Sequence, residues 1–66
     1  MSGQELQQER VARLVSQTQL AQLMGVTKQR ISYIEKRPVV TPLAAARYMA
    51  ALSEFPVRYR ALPRAA

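Results

Sequence analysis

The chain contains no cysteine, no histidine and no tryptophan, and its 66 residues include only two glycines. Without cysteine or histidine there is no disulfide and no typical zinc site. The side chains that most often serve as general base or nucleophile are also absent. The four carboxylates, Glu5, Glu9, Glu35 and Glu54, show no pairing suited to acid and base work. Gly3 and Gly25 are too far apart to form a phosphate-cradling loop. No run of 18 apolar residues occurs, which argues against a membrane-spanning helix. The polar opening MSGQELQQER also lacks a signal-peptide core. These absences lead us to expect a cytoplasmic non-enzyme with no catalytic residue, no metal, no cofactor, no membrane contact and no small-molecule ligand.

What is abundant is positive charge, and its placement says more than its total. Ten Lys and Arg oppose four Asp and Glu, for a net charge of +6. From Met1 to Thr27, Arg10 and Arg13 cancel Glu5 and Glu9; from Lys28 onward eight basic residues face only Glu35 and Glu54. This asymmetry is what a nucleic-acid binder shows, although basic surfaces also arise for solubility alone. The length predicts one domain over residues 1–66, whose single core supplies roughly 3–5 kcal/mol. Self-association is then the remaining common route to extra stability.

Residues 16–37 organise the rest. Ser16 with Gln19 three residues later fits a capping box, predicting a helix over about Gln17 to Met24. Gly25 follows the apolar run, where glycine takes the left-handed conformation that ends a helix. Thr27 then caps a second helix from about Lys28 to Lys36. Leu20, Ala21 and Met24 line one face of the first helix, and Ile31 and Ile34 one face of the second. Two short helices joined by so tight a turn predict a helix-turn-helix, in which small Ala21 permits a close crossing. The outer face of the second helix carries Lys28, Gln29, Arg30, Ser32, Tyr33, Lys36 and Arg37, with no carboxylate among them.

Gln17, Leu20-Ala21, Gly25-Val26, Gln29, Ile31 and Ile34-Glu35 resemble the helix-turn-helix of the lambdoid phage Cro and repressor proteins and their wider bacterial relatives. The resemblance implies an all-α, compact four- to five-helix domain that binds double-stranded DNA. In that family an arginine of the first helix pairs with a glutamate of the recognition helix, which implies an Arg10–Glu35 ion pair here. It also implies that Gln17 props the side chain opposite, at Lys28. Arg37 stands where the family commonly has glycine, which leaves Pro38 to stop the helix.

The flanking segments read as support. Ser2 and Glu5 predict a capped first helix to about Leu14, with Leu6, Val11, Leu14 and Val15 inward and Arg13 facing water. Val39 and Val40 form an extended connector that drops apolar side chains into the core. Thr41-Pro42 starts a fourth helix over about 42–54, with Leu43, Ala46, Met49, Ala50 and Leu52 against the motif. The segment at about 55–62 is a candidate dimerisation element carrying Phe55, Pro56, Val57, Arg58 and Tyr59. The resemblance favours a fifth helix there, whereas the alternation of Val57, Tyr59 and Ala61 with Arg58, Arg60 and Leu62 also suits a strand that pairs across a dimer. Arg64, in the tail, is a candidate phosphate contact.

Geometry assigns candidate roles. The N-terminal residues of a recognition helix approach base edges, so Lys28 suits guanine and Gln29 adenine, with Ser32 and Tyr33 one turn further on. Gln17, Thr18 and Thr27 begin helices and face phosphate. Arg30, Lys36 and Arg37 suit phosphates as well. A phage or prophage Cro-like repressor, dimeric on a palindromic operator, fits these assignments, as does a plasmid or restriction-system controller. The rival is an antitoxin or anti-activator that uses the same motif to hold another protein. An RNA-binding or nonspecific basic module fits less well, because stacking aromatics are few.

Overall fold

The computed structural model describes residues 1–57, which form four helices: α1 (Gly3–Ala12), α2 (Gln17–Met24), α3 (Lys28–Glu35) and α4 (Pro42–Leu52). Residues 58–66, including Arg58, Tyr59 and Arg64, lie outside the description, and so does most of the expected fifth helix or strand. Pro56 and Val57 carry no regular secondary structure.

Each helix begins where its capping residue stands. Ser2 and Ser16 both close reciprocal boxes, with Glu5 and Gln19 respectively, and Thr27 and Thr41 accept from the amides of Arg30 and Ala44. Gly25 ends α2 at φ 72, with Val26 N donating to Ala21 O at 3.0 Å, so only three residues separate α2 from α3.

The core gathers one stripe from each helix. Leu6, Leu20, Ala21, Ile31, Ile34, Ala45, Tyr48 and Leu52 are buried together with Val15 and Val40 from the connections. Three expectations for α1 and its exit need correcting. α1 stops at Ala12, and Leu14 takes a left-handed φ of 56, so its side chain turns outward and is 67% exposed. Val11 is also exposed, because the buried stripe of α1 runs through Gly3, Leu6 and Arg10. Arg13, expected in water, folds back to pair with Glu9 at 2.9 Å, and its side chain is 13% exposed.

In α4 the inward stripe is Ala45, Tyr48 and Leu52, with Ala44, Met49 and Ala51 beside it; Leu43, Ala46 and Ala50 face solvent. An alanine-rich helix offers several stripes of similar apolarity, and the bulky Tyr48 decides between them. α4 is also two residues shorter than expected, with Ser53 as its C-cap. Of the two connector valines only Val40 is buried, while Val39 is 71% exposed.

α3 has no glycine at its C-terminal end, and the opening of the chain supplies the closure. Gly3 N donates to Arg37 O at 2.8 Å and Val40 N to Met1 O at 2.9 Å. Thus a free N–H from the first turn of α1 is answered by a carbonyl two residues past the end of α3. The approach is so close that a Cβ on Gly3 would collide with the backbone carbonyls of Ile34 and Glu35.

Candidate nucleic-acid interface

The exposed side of α3 is fixed from beneath by a carboxylate shared among all four helices. Glu35, buried at the end of α3, accepts from Arg10 Nε of α1 at 2.7 Å and Nη2 at 3.1 Å. It also accepts from Gln17 Nε2 of α2 at 3.0 Å and from the Tyr48 hydroxyl of α4 at 2.5 Å. Arg10 spends its remaining terminal nitrogen on Val15 O at 2.8 Å, which holds the loop leading into α2.

Burial alone would push the Glu35 carboxyl up. The hydrogen bonds from Arg10, Tyr48 and Gln17, with the arginine charge, outweigh it and hold the group below its ordinary value. The Glu35 hydrogen bond raises Arg10 above its own ordinary value. Burial, followed by the Glu35 hydrogen bond and charge, pushes Tyr48 up. Near neutral pH the cluster is therefore a carboxylate, a guanidinium and a neutral phenol.

Above this anchor, Ile31 is fully buried and Ile34 is 6% exposed, whereas Lys28, Gln29, Arg30, Lys36 and Arg37 are exposed. Tyr33 is 51% exposed and Ser32 half-buried. The helix and the two residues after it thus divide into an anchored side and an outward side that carries four cations and no carboxylate. Tyr33 is flanked along the helix by Arg30 and Arg37, whose guanidinium carbons lie 5.5 and 5.3 Å from the ring centroid. Arg37 Nη1 also donates to the Tyr33 hydroxyl oxygen at 2.7 Å.

The residues that begin the helices are divided in their duties. Thr18 is exposed at the start of α2. Gln17 is half-buried, with its amide nitrogen on Glu35 and no hydrogen bond to Lys28 among the described residues. Thr27 uses its oxygen to cap α3 at Arg30 N, 3.1 Å away, which leaves its hydroxyl proton free to donate. In the candidate dimerisation segment Phe55 packs partly on the core, while Pro56 and Val57 are exposed. Together with Leu14, Phe55 and Pro56 line a shallow cleft near the α1–α2 connection.

The sequence reading passed over two contributors to the site. Tyr48 could have been found: it sits three and four residues from Ala45 and Leu52, and a buried Arg–Glu pair has lone pairs left to satisfy. Gly3 had no comparable signal, since its role depends on which helix end it meets.

A helix-turn-helix family model matches residues 6–53, nearly the whole of the four-helix unit. No curated protein and no solved structure matches the chain. No described helix is long and apolar enough to cross a membrane. The four helices, the three-residue turn at Gly25 and the family match agree: the chain belongs to the helix-turn-helix family of the Cro and repressor type, a family of DNA-binding transcription regulators.

Proposed function

We propose that this protein is a small Cro-like repressor that reads a palindromic operator as a homodimer. The observation that carries this reading is the division of α3, anchored through Ile31, Ile34 and Glu35 while Lys28, Gln29 and Tyr33 face outward. Placed in a major groove, such a helix brings Lys28 and Gln29 to base edges, with Ser32 one turn beyond. Gln17, Thr18 and Thr27 lie near the backbone, and Arg30, Lys36 and Arg37 supply charge for phosphates.

One copy spans about half an operator. Two-fold pairing sets two recognition helices about 34 Å apart, the repeat of the major groove. Leu14, Pro56 and Val57 are exposed apolar groups on a small domain, which supports pairing through that region. The dimerisation segment would continue through Arg58 and Tyr59.

Binding-site selection from random duplex tests the reading, with an inverted repeat as the expected product. Lys28→Ala or Gln29→Ala should then cost about 1–3 kcal/mol of discrimination at its own base position. Absence of any sequence preference, together with a stable complex with another protein, would favour the antitoxin or anti-activator reading instead.

A further inference from the structure

We infer that Tyr33 is a positioning residue, which aligns Arg30 and Arg37 as a two-armed phosphate clamp along one side of α3. The inference rests on the DNA-binding reading above and assigns Tyr33 a different job from direct contact with a base. Arg30 and Tyr33 stand at i and i+3 on α3, and Arg37, two residues past its end, returns its side chain to the same ring. Both guanidinium groups lie within 5.5 Å of the ring centroid. Arg37 is doubly held, because its Nη1 also donates to the tyrosine hydroxyl.

Neither arginine is spent elsewhere. Among the described residues the ion pairs are Arg10 with Glu35 and Arg13 with Glu9, so Arg30 and Arg37 keep their charge for an outside partner. A free arginine on a helix surface samples many rotamers and loses that freedom when it grips a phosphate. A guanidinium laid on an aromatic ring is already restricted, and its edge donors remain available. Tyr33 therefore prepares both arms before the duplex arrives, and its own ring is occupied in doing so.

The test compares Tyr33→Ala, Tyr33→Phe, Arg30→Ala and Arg37→Ala on the selected operator and on random duplex, each across a salt series. Each arginine variant should lower the salt slope by about one unit. Tyr33→Ala keeps both cations, so it should weaken both duplexes by a similar factor, roughly 5- to 30-fold, while the salt slope and the thermal melt stay unchanged. In that background the arginine substitutions should cost less than they do in the parent. Tyr33→Phe keeps the ring and should keep most of the affinity.

Loss confined to the operator would mean that Tyr33 reads a base, and the clamp would be wrong. Full additivity with the arginine variants, or a Tyr33→Phe protein as weak as Tyr33→Ala, would overturn it too. If the parent bound duplex while Tyr33→Ala kept the full affinity, the clamp alone would fail. A parent that bound no duplex would remove the functional reading and the clamp together.

Discussion

Replacing Arg10 with methionine isolates the one interaction on which the four helices converge. The side chains of Arg10 and Glu35 are 11% and 3% exposed, so the pair lies in the interior rather than in screened solvent. Removing one partner of a buried pair costs about 3–5 kcal/mol, because the other charge stays behind without compensation. Glu35 would keep the Tyr48 and Gln17 donors, which places the expected loss near the lower end, about 3 kcal/mol. A domain of this size holds roughly 3–5 kcal/mol in all, so Arg10→Met should be largely unfolded or barely folded at 25 °C.

Urea unfolding followed by circular dichroism measures this, with sulfate added to bring a marginal variant into range. The pH dependence gives a second readout. In the parent, the lowered Glu35 value contributes stability that is present above the ordinary carboxylate range and is lost as pH falls through the folded value. In Arg10→Met the hydrogen bond and charge of the arginine are gone, so the loss of stability on acidification below the ordinary carboxylate range should be smaller than in the parent. Replacing Arg10, Glu35 and Tyr48 together by apolar residues should recover most of the loss. An Arg10→Met protein within about 1 kcal/mol of the parent, with the parent's acid sensitivity, would refute the buried-charge reasoning.

Other perturbations follow from the same structure. Gly3→Ala, which in an exposed helix would gain up to about 1 kcal/mol, should instead lose about 1–3 kcal/mol, because the new methyl meets backbone carbonyls; urea midpoints decide the sign. Gly25→Ala has open space around its Cβ but a φ of +72, so a loss of about 1 kcal/mol from backbone conformation alone is expected in the same assay. Raising the pH beyond 10 should destabilise the fold, because Tyr48 gives up its proton more readily in the unfolded chain than in the folded one, where its value is raised. In Tyr48→Phe that contribution to alkaline unfolding should vanish. Ser16→Ala should cost about 1 kcal/mol through the lost α2 cap, measured by thermal unfolding.

The legible parts of this molecule are those fixed within a few residues of chain. Ser2, Ser16, Thr27 and Thr41 announce helix starts because a cap bonds three residues ahead, and Gly25 announces a turn because few other residues accept its φ. The outward face of α3 was legible for a similar reason: Ile31 and Ile34 fix the helix phase, and everything opposite them must face out. What escaped depends on contacts between distant segments. The choice of stripe in α4, the outward turn of Leu14 and the abutment of Gly3 on α3 are settled by neighbours 13 or more positions away, or by a single reversed φ. The tie between Gln17 and Glu35 is of this kind, since nothing local says which of several partners an amide will take.

Chain ends are ordinarily expendable, fraying without consequence for the body of a domain. Here the leading three residues sit in the joint between α1 and the end of α3, with Met1 and Gly3 each holding a backbone hydrogen bond across it. Trimming them would bare the carbonyl of Arg37 and release the amide of Val40, loosening the outward-facing helix at the end farthest from Lys28. The angle at which that helix is presented is therefore set partly by residues about thirty positions earlier, and a change at position 37 has to be judged together with position 3.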